Sequence, residues 1–400
     1  MLKKFGFLLS LCVAMMLTPS LVFGQISDMQ LWDVQVPDDY AGGHRGSEGF
    51  FFTGEALYWN APHPHRGTIG NTNVQERAYS FAKDSTTEVR ETVQTNSWTA
   101  DQIPDSWNFG QRYSIGCMNQ HNGWEVSGLY YNGYEEYSGY DVQVGIDDKN
   151  NVDYHGLLSG TLVNGQAETW FDPTRCEPTA EGLKVKRILV DFDTASMRNT
   201  MDFWGIEANY IYRCHPTRIG IFEGIIGVRY FKYNEDFVFN GGAAQYLGYS
   251  TWNSDVQNNL VGLQLGLRWS RQIARLSFDA QCKVLLAYNA QIADTRCYLG
   301  ANTNTSYDGV IDNGKSASDH QKMNEFSPML DFGFHMNYNL TRYVKLSVGW
   351  SGIVAFNVAR STEIIDYSIS DTAGLLNVNR DKNCSDVFLQ GVTFGVTINR

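Results

Sequence analysis

The strongest constraint on the fold is a two-residue alternation of apolar and polar side chains that recurs along the chain. Within residues 261–288 the alternation runs, breaks at a charged stretch and resumes. Val261, Leu263, Leu265 and Leu267 share one face of an extended strand, and small or polar residues share the other. Because successive side chains of a strand point to opposite faces, two such runs joined by a short turn predict a β-hairpin with one apolar face.

The spacing of these alternating segments predicts how the hairpins assemble. Ten segments lie near 50–60, 111–118, 123–131, 201–213, 218–231, 259–270, 275–288, 327–338, 343–356 and 386–399. Long connections are expected near 61–110, 132–200, 232–258, 289–326 and 357–385. They alternate with the short "NQHNG", "CHPT", "SRQIA" and "NLTR", so all short turns fall at one end.

This order predicts an all-β fold: an antiparallel up-and-down transmembrane β-barrel of about ten strands, with long extracellular loops and short periplasmic turns. An even strand number lets the last strand close on the first without leaving an open edge. Twelve strands remain an alternative, because "GLLSGTLV" and "LKVKRILVDF" in the longest connection could pair. Lys184, Lys186 and Arg187 suit a loop hairpin above the membrane better than a lipid-facing wall.

The N-terminus predicts export. Lys3 and Lys4 precede the apolar run "FGFLLSLCVAMMLTPSLVFG", as in a secretory signal peptide of residues 1–24 with cleavage after Gly24. We expect a periplasmic segment over 25–49 and the barrel over 50–400.

Charge and cysteine content narrow the partners. The formal net charge is −12, and loss of the two N-terminal lysines makes the mature chain more acidic, so a nucleic acid is not expected as a partner. No C-x-x-C pair occurs. In an exported protein disulfides are permitted, and Cys176, Cys297 and Cys384, which fall in expected loops, are the favoured candidates without a defined pairing.

Several stretches carry a family resemblance. These are "FFTGEALYWNAP", "GVRYF", "VGLQLGLRW" and the closing "LQGVTFGVTINR". With the signal peptide, they resemble a beta barrel porin family of planctomycete outer-membrane proteins, from about residue 48 to the C-terminus. The resemblance implies a barrel in the outer membrane of a Gram-negative-type envelope, with outer-membrane lipid and the barrel-assembly machinery as partners.

The face opposite the apolar one carries charges of both signs. The expected inward set is Arg112, Glu125, Glu207, Glu223, Arg229, Arg268, Asp279, Lys283, Asp331, His335 and Lys345. Unpaired charges are costly away from water, which favours a cross-strand ionic network. The alternative is that the same residues line a narrow polar pore. Ten strands enclose little more than a side-chain-filled interior, so we expect a plugged or narrowly conducting barrel.

No motif indicates catalysis or a cofactor. The sequence has no G-x-S-x-G, phosphate-binding glycine loop or H-E-x-x-H. The pair His63 and His65 and the acidic stretch "DDKNNVD" fit ordinary loops better than metal sites. The sequence thus predicts a non-enzymatic outer-membrane barrel, acting as a narrow pore or structural envelope component with surface loops whose ligand is unknown. A soluble secreted β-rich adhesin or ligand-binding protein is the alternative.

Overall fold

The computed structural model describes ten long strands and short pieces of the chain between them. The described residues are 49–61, 77–79, 89–91, 100, 103, 105–131, 135–141, 144–146, 152–154, 159–162, 178–179, 182–183, 188–191, 194–215, 217, 219–242, 249–299, 315–341, 343–366, 377–378 and 384–400. The long strands are β1 Gly49–Ala61, β2 Ser106–Met118, β3 Asn122–Tyr131, β4 Thr194–Arg213, β5 Ile221–Gly242, β6 Ser250–Ile273, β7 Leu276–Leu299, β8 Met329–Asn339, β9 Val344–Ala359 and β10 Cys384–Asn399.

The ten strands close into an antiparallel barrel, which confirms the predicted architecture and strand number. Each strand pairs with its neighbours along the chain, and β10 pairs with β1, with Asn399 opposite Phe51. Closure pairs the backbone amide and carbonyl groups across every seam, so the barrel wall has no open edge within the membrane. Among the described residues no helix has both the length and the apolar character to cross a membrane.

The twelve-strand alternative is wrong. Ser159–Leu162 does pair with Ile188–Asp191, but in a separate two-stranded sheet rather than in the barrel wall. The remaining two strands of the large sheet are extensions beside the barrel: Glu135–Asp141 pairs with the first half of β4, and Lys315–Phe326 with the second half of β7.

One side of the barrel is much taller than the other, which corrects the expected loop bounds. Strands β4 to β7 have 20 to 24 residues, whereas β1 has 13. With the two extension strands they form what we call the raised wall. The expected loop 232–258 is therefore mostly strand, and the expected loop 289–326 contains the end of β7 and the strand Lys315–Phe326.

The outward side chains of the raised wall explain why the apolar–polar alternation of the sequence did not predict the part of the wall nearest the long loops. On β6 the outward residues Val261 to Leu267 are apolar and exposed, with Leu263 64% exposed. Further toward the long-loop end the outward residues become polar, namely Thr251, Asn253, Asp255, Gln257 and Asn259. The strand continues because its ladder of backbone hydrogen bonds does not depend on the polarity of the outward side chains, whereas the apolar half of the alternation does.

The short turns lie at one end, as predicted, with one shift in position. The hairpin turn between β6 and β7 is Ala274 and Arg275 rather than the whole of "SRQIA", because β6 stays paired to Ile273. Trp269, near the end of β6, is only 3% exposed, since the turn before β5 covers it and its indole NH donates to the Ile219 carbonyl.

At the opposite end, β9 turns into the lumen. Its pairing with β10 shifts register between Ala355 and Val358, and Asn357 has a positive φ of 58°. The short helix Ser361–Ile364 follows, and three of its four residues are buried. The expected signal peptide, the segment 25–48, Cys176, His63, His65 and "DDKNNVD" lie outside the described residues.

Candidate functional site in the barrel interior

The inward side chains form successive layers along the barrel axis. From the short-turn end these are a polar cavity, a layer of charged side chains, an apolar layer and a second polar layer. Each strand contributes to the layers through alternate residues; on β4, for example, Arg213, Glu207 and Phe203 all point inward. The layers therefore follow directly from sequence parity combined with strand register.

The centre of the charged layer is a cluster around Glu207. This carboxylate accepts a hydrogen bond from the Lys283 ammonium and lies 3.4 Å from Arg229. Arg229 also donates to Asp331 at 2.7 Å, and Arg112 lies 4.0 Å from the same carboxylate. All five side chains are buried. Mutual pairing offsets the large cost of removing these charges from water.

A second branch of the layer runs along the side of β3 to β6. Arg268 donates to Glu125 at 2.9 Å and lies 3.5 Å from Glu223, which in turn accepts from Arg213 at 2.8 Å. Together the two branches form what we call the ionic layer: Arg112, Glu125, Glu207, Arg213, Glu223, Arg229, Arg268, Lys283 and Asp331. Uncharged Gln264 supports the Glu207 cluster by donating to Glu207 and Asn209.

An apolar layer, which we call the septum, lies directly beyond the ionic layer. It comprises Leu57, Trp59, Leu129, Tyr131, Met201, Phe203, Phe231, Tyr233, Leu260, Leu285, Ala287, Met329, Ile353, Ala355, Val358, Val387 and Leu389. Nine of the ten strands contribute, and none of these residues is more than 6% exposed. On the remaining strand Gly110 lies beneath the Tyr131 ring, where a side-chain carbon would approach that ring to 3.0 Å.

Aromatic rings stack at the centre of the septum and contact the ionic layer. The rings of Tyr131 and Phe203 are parallel, with centroids 4.6 Å apart, and Trp59 and Phe231 pack beside Phe203. The Arg229 guanidinium lies 5.6 Å from the centre of the Phe231 ring. Ring faces attract cations, so this contact joins the two layers.

The second polar layer holds the end of β9 inside the barrel mouth. Arg360 forms two hydrogen bonds with Glu235, at 2.7 and 2.9 Å, and both residues are essentially inaccessible to solvent. The Ser361 amide donates to the same carboxylate at 3.1 Å. Asn258 fixes the adjacent backbone by donating to, and accepting from, Ala359. These contacts hold the backbone at residues 359–361 inside the barrel mouth.

All eleven charged residues proposed from the sequence lie on the inner face. Ten belong to the ionic layer or to the cavity pair of Lys345 and Asp279, which are 3.7 Å apart; His335 completes the set. The sequence reasoning missed four inward charges. Glu55 and Arg213 had the correct parity in predicted strands, whereas Glu235 and Arg360 fell in segments assigned to loops.

The cysteine expectations need correction. Cys297 and Cys384 lie on β7 and β10 rather than in loops, and neither forms a disulfide. Burial raises the pKa of the Cys297 thiol to about 12 and also raises that of Cys384. Both therefore stay protonated at neutral pH. The described residues contain no group of three histidines, cysteines or carboxylates able to hold a metal ion.

The closed barrel, its apolar outer band and its filled lumen define an integral β-barrel of the outer membrane. The chain belongs to the family described as "Putative beta barrel porin-7", whose profile matches residues 138–399. This confirms the resemblance to a beta barrel porin family.

A comparison with solved structures gives matches at low identity. They include the outer membrane protease OmpT of Escherichia coli (7% identity, TM-score 0.43, 88% of this chain and 97% of that chain). They also include a FadL homologue of Pseudomonas aeruginosa (8% identity, TM-score 0.20, 88% and 90%). At these scores neither bears on function. A comparison with curated proteins finds no match.

Proposed function

We propose that this protein is a non-conducting barrel that acts as a structural component of the outer membrane and holds its long loops at the cell surface. The observation that carries the proposal is the septum, which crosses the lumen between two polar layers. The alternative of a soluble adhesin does not fit an outer face whose apolar side chains are exposed around the barrel.

The physical argument against conduction is the cost of moving a hydrated ion through the septum. An ion in an apolar medium loses hydration worth on the order of 20 kcal/mol, and apolar constrictions also exclude water. Leu57, Trp59 and Phe203 are fully inaccessible, so the septum leaves no water-filled passage beside them. A narrow pore, which the family name favours, would need the aromatic stack to separate.

Planar lipid bilayers test the proposal. We expect the purified wild-type protein to give no single-channel steps. The combined substitution Leu57→Ala and Phe203→Ala should produce small steps, because it removes side chains from the centre of the septum. Phe109→Ala, on the exposed outer face, is the matched control and should remain silent. Large, stable steps from the wild-type protein would refute the proposal.

The same proposal includes the orientation of the barrel, its surroundings and its lack of catalytic activity. The short-turn end faces the periplasm, outer-membrane lipid surrounds the apolar band, the barrel-assembly machinery inserts the chain, and the protein is not catalytic. We further propose that cleavage after Gly24 leaves Gln25 as the first residue. N-terminal sequencing of protein from purified outer membranes checks this, and a retained Met1 would contradict it.

A further inference from the structure

The polar cavity between the ionic layer and the short-turn end is a candidate binding site. Its volume is about 190 Å³, and its lining runs from Met118 and Asn399 near the barrel end to Lys283 in the ionic layer. Lys345 and Asp279, which line it, retain 30% and 24% side-chain exposure, so solvent reaches the cavity. The septum closes its inner end, and a solute can therefore enter only from the short-turn end.

The two sides of this cavity differ in how fully their polar groups are paired. On the side of β3 to β6, Arg268 bonds or contacts both Glu125 and Glu223 at 3.5 Å or less. The opposite side, from β8 through β10 to β1, has unused capacity. Glu55 lies 3.6 Å from Arg112, and its buried Oε2 has no hydrogen-bond partner among the described residues.

Lys345 supplies the complementary unused group. Its ammonium lies 3.7 Å from Asp279, beyond hydrogen-bonding distance, and that carboxylate already accepts from Asn337 at 2.6 Å. Lys345 and Glu55 lie on β9 and β1, separated only by β10. Between them β10 presents the small residues Gly395 and Thr397, which are opposite Glu55 and Lys345 respectively. The cavity thus has a cation on one side of β10 and a carboxylate on the other, and each has a long ion-pair contact, at 3.7 and 3.6 Å respectively.

Charge balance selects the class of ligand. Among the described residues between the septum and the short-turn end, the inward cations are Arg112, Arg213, Arg229, Arg268, Lys283 and Lys345, and the inward carboxylates are Glu55, Glu125, Glu207, Glu223, Asp279 and Asp331. The two sets are equal in number. A bound anion or cation would leave this poorly hydrated interior with a net charge, which is costly, whereas a neutral molecule carrying both charges would not.

We propose that this cavity binds a small zwitterion of the α-amino acid type from the periplasm. Its carboxylate accepts hydrogen bonds from Lys345, and its ammonium group donates to Glu55, across the small inward residues of β10. His335 also lines the cavity. It is 91% buried, and its Nε2 has no hydrogen-bond partner among the described residues, so a turn of the ring can offer a further donor or acceptor. The closed inner end of the site rests on the proposed non-conducting function.

Equilibrium dialysis of the detergent-solubilised protein against radiolabelled alanine tests the proposal. Two charge-assisted contacts predict a Kd of about 1 mM. Acetate and methylammonium, each carrying one of the two charges, should bind at least tenfold more weakly. Acetate binding as tight as alanine binding would identify a simple anion site and overturn the proposal, as would the absence of saturable alanine binding.

Two variants locate the site. Lys345→Gln and Glu55→Gln should each weaken alanine binding by about tenfold, whereas Lys322→Gln on the raised wall should leave it unchanged. Lys345 is partly exposed, so its substitution should not prevent folding, which circular dichroism can verify. Equal binding by Lys345→Gln and wild type would refute the assignment. Dialysis measures alanine binding directly. Channel formation in bilayers would therefore refute the non-conducting function, but it would not decide whether the cavity binds alanine.

Discussion

At the scale of single residues, the interior is stabilised by ion pairs whose loss cannot be compensated by water. Glu207 contacts two cations and also accepts hydrogen bonds from Ser127 and Gln264. Lys283, one of those cations, is only 4% exposed. Removing one partner of such a pair leaves an uncompensated buried charge, which costs far more than removing a surface partner.

Glu207→Gln should therefore lower the free energy of unfolding by about 3–5 kcal/mol. The control is Asp294→Asn, which removes the carboxylate paired with His320 on the outer face, where both side chains are more than a third exposed. We expect the control to cost at most about 1 kcal/mol. Urea titrations in lipid vesicles measure both values. Similar losses for the two variants would show that the ionic layer contributes no more than a surface pair.

At the scale of elements, the hairpin between β6 and β7 contains a strained residue. Ala274 has a φ of 54°, in the left-handed region that a residue with a Cβ atom adopts only at some cost. Glycine adopts that conformation readily. A glycine at this position also gives the unfolded protein more conformational freedom, which offsets part of the gain in stability.

Ala274→Gly should thus raise the free energy of unfolding by up to about 1 kcal/mol, whereas Ala274→Val should lower it by about 1–2 kcal/mol, because a β-branched side chain increases the strain. Thermal or urea unfolding of the three proteins tests this order. A destabilised glycine variant would mean that backbone entropy outweighs strain at this turn.

The inward turn of β9 depends on another element-scale contact, the pair of Arg360 and Glu235. The Ser361 amide donates to this carboxylate. Glu235→Gln should leave the Arg360 charge unpaired in the barrel mouth and accelerate hydrogen exchange of the Ser361 amide by more than about 100-fold.

The matched control for Glu235→Gln lies on the same strand. Asp236→Asn changes the outward neighbour, whose side chain is 34% exposed and 3.7 Å from Arg198, and it should leave the Ser361 exchange rate unchanged. Unaltered protection of Ser361 in Glu235→Gln would show that the surrounding packing alone holds the segment after β9.

At the scale of the whole molecule, the change in outward residues along β6 fixes the position of the barrel in the membrane. Leu263 belongs to the apolar band, and Gln257 belongs to the polar part of the raised wall on the same strand and face. The barrel should therefore sit in lipid up to a level between these two residues and extend into water beyond it.

Leu263→Arg should reduce the free energy of unfolding in lipid vesicles by about 2–4 kcal/mol, as expected for a cation near the centre of a bilayer. Gln257→Arg should cost about 0–1 kcal/mol, because that position lies at or beyond the lipid headgroups. Equal costs would place the two residues in the same environment and contradict the assigned membrane level.

The sequence by itself determined the ten strands, their antiparallel order, the end that carries the short turns and the face on which each charge lies. These features follow from local information. The direction of a side chain depends only on whether its position in the strand is odd or even, and the length of a loop depends only on the spacing of the strands along the sequence. Even the missed Glu55 and Arg213 were readable in this way, since Arg213 shares the parity of Glu207 and Glu55 lies on the face opposite Phe52 and Tyr58.

Only the tertiary structure decided how tall the wall is, which charges pair and which apolar residues meet in the septum. The register between neighbouring strands sets which inward residues lie at the same height in the barrel. It cannot be read from the sequence of one strand alone. The septum exists because apolar residues from nine strands meet at one height. Arg360 and Glu235 pair because β9 turns inward at Asn357. A period-two pattern shows that a side chain faces the interior, and only the closed barrel shows what it meets there.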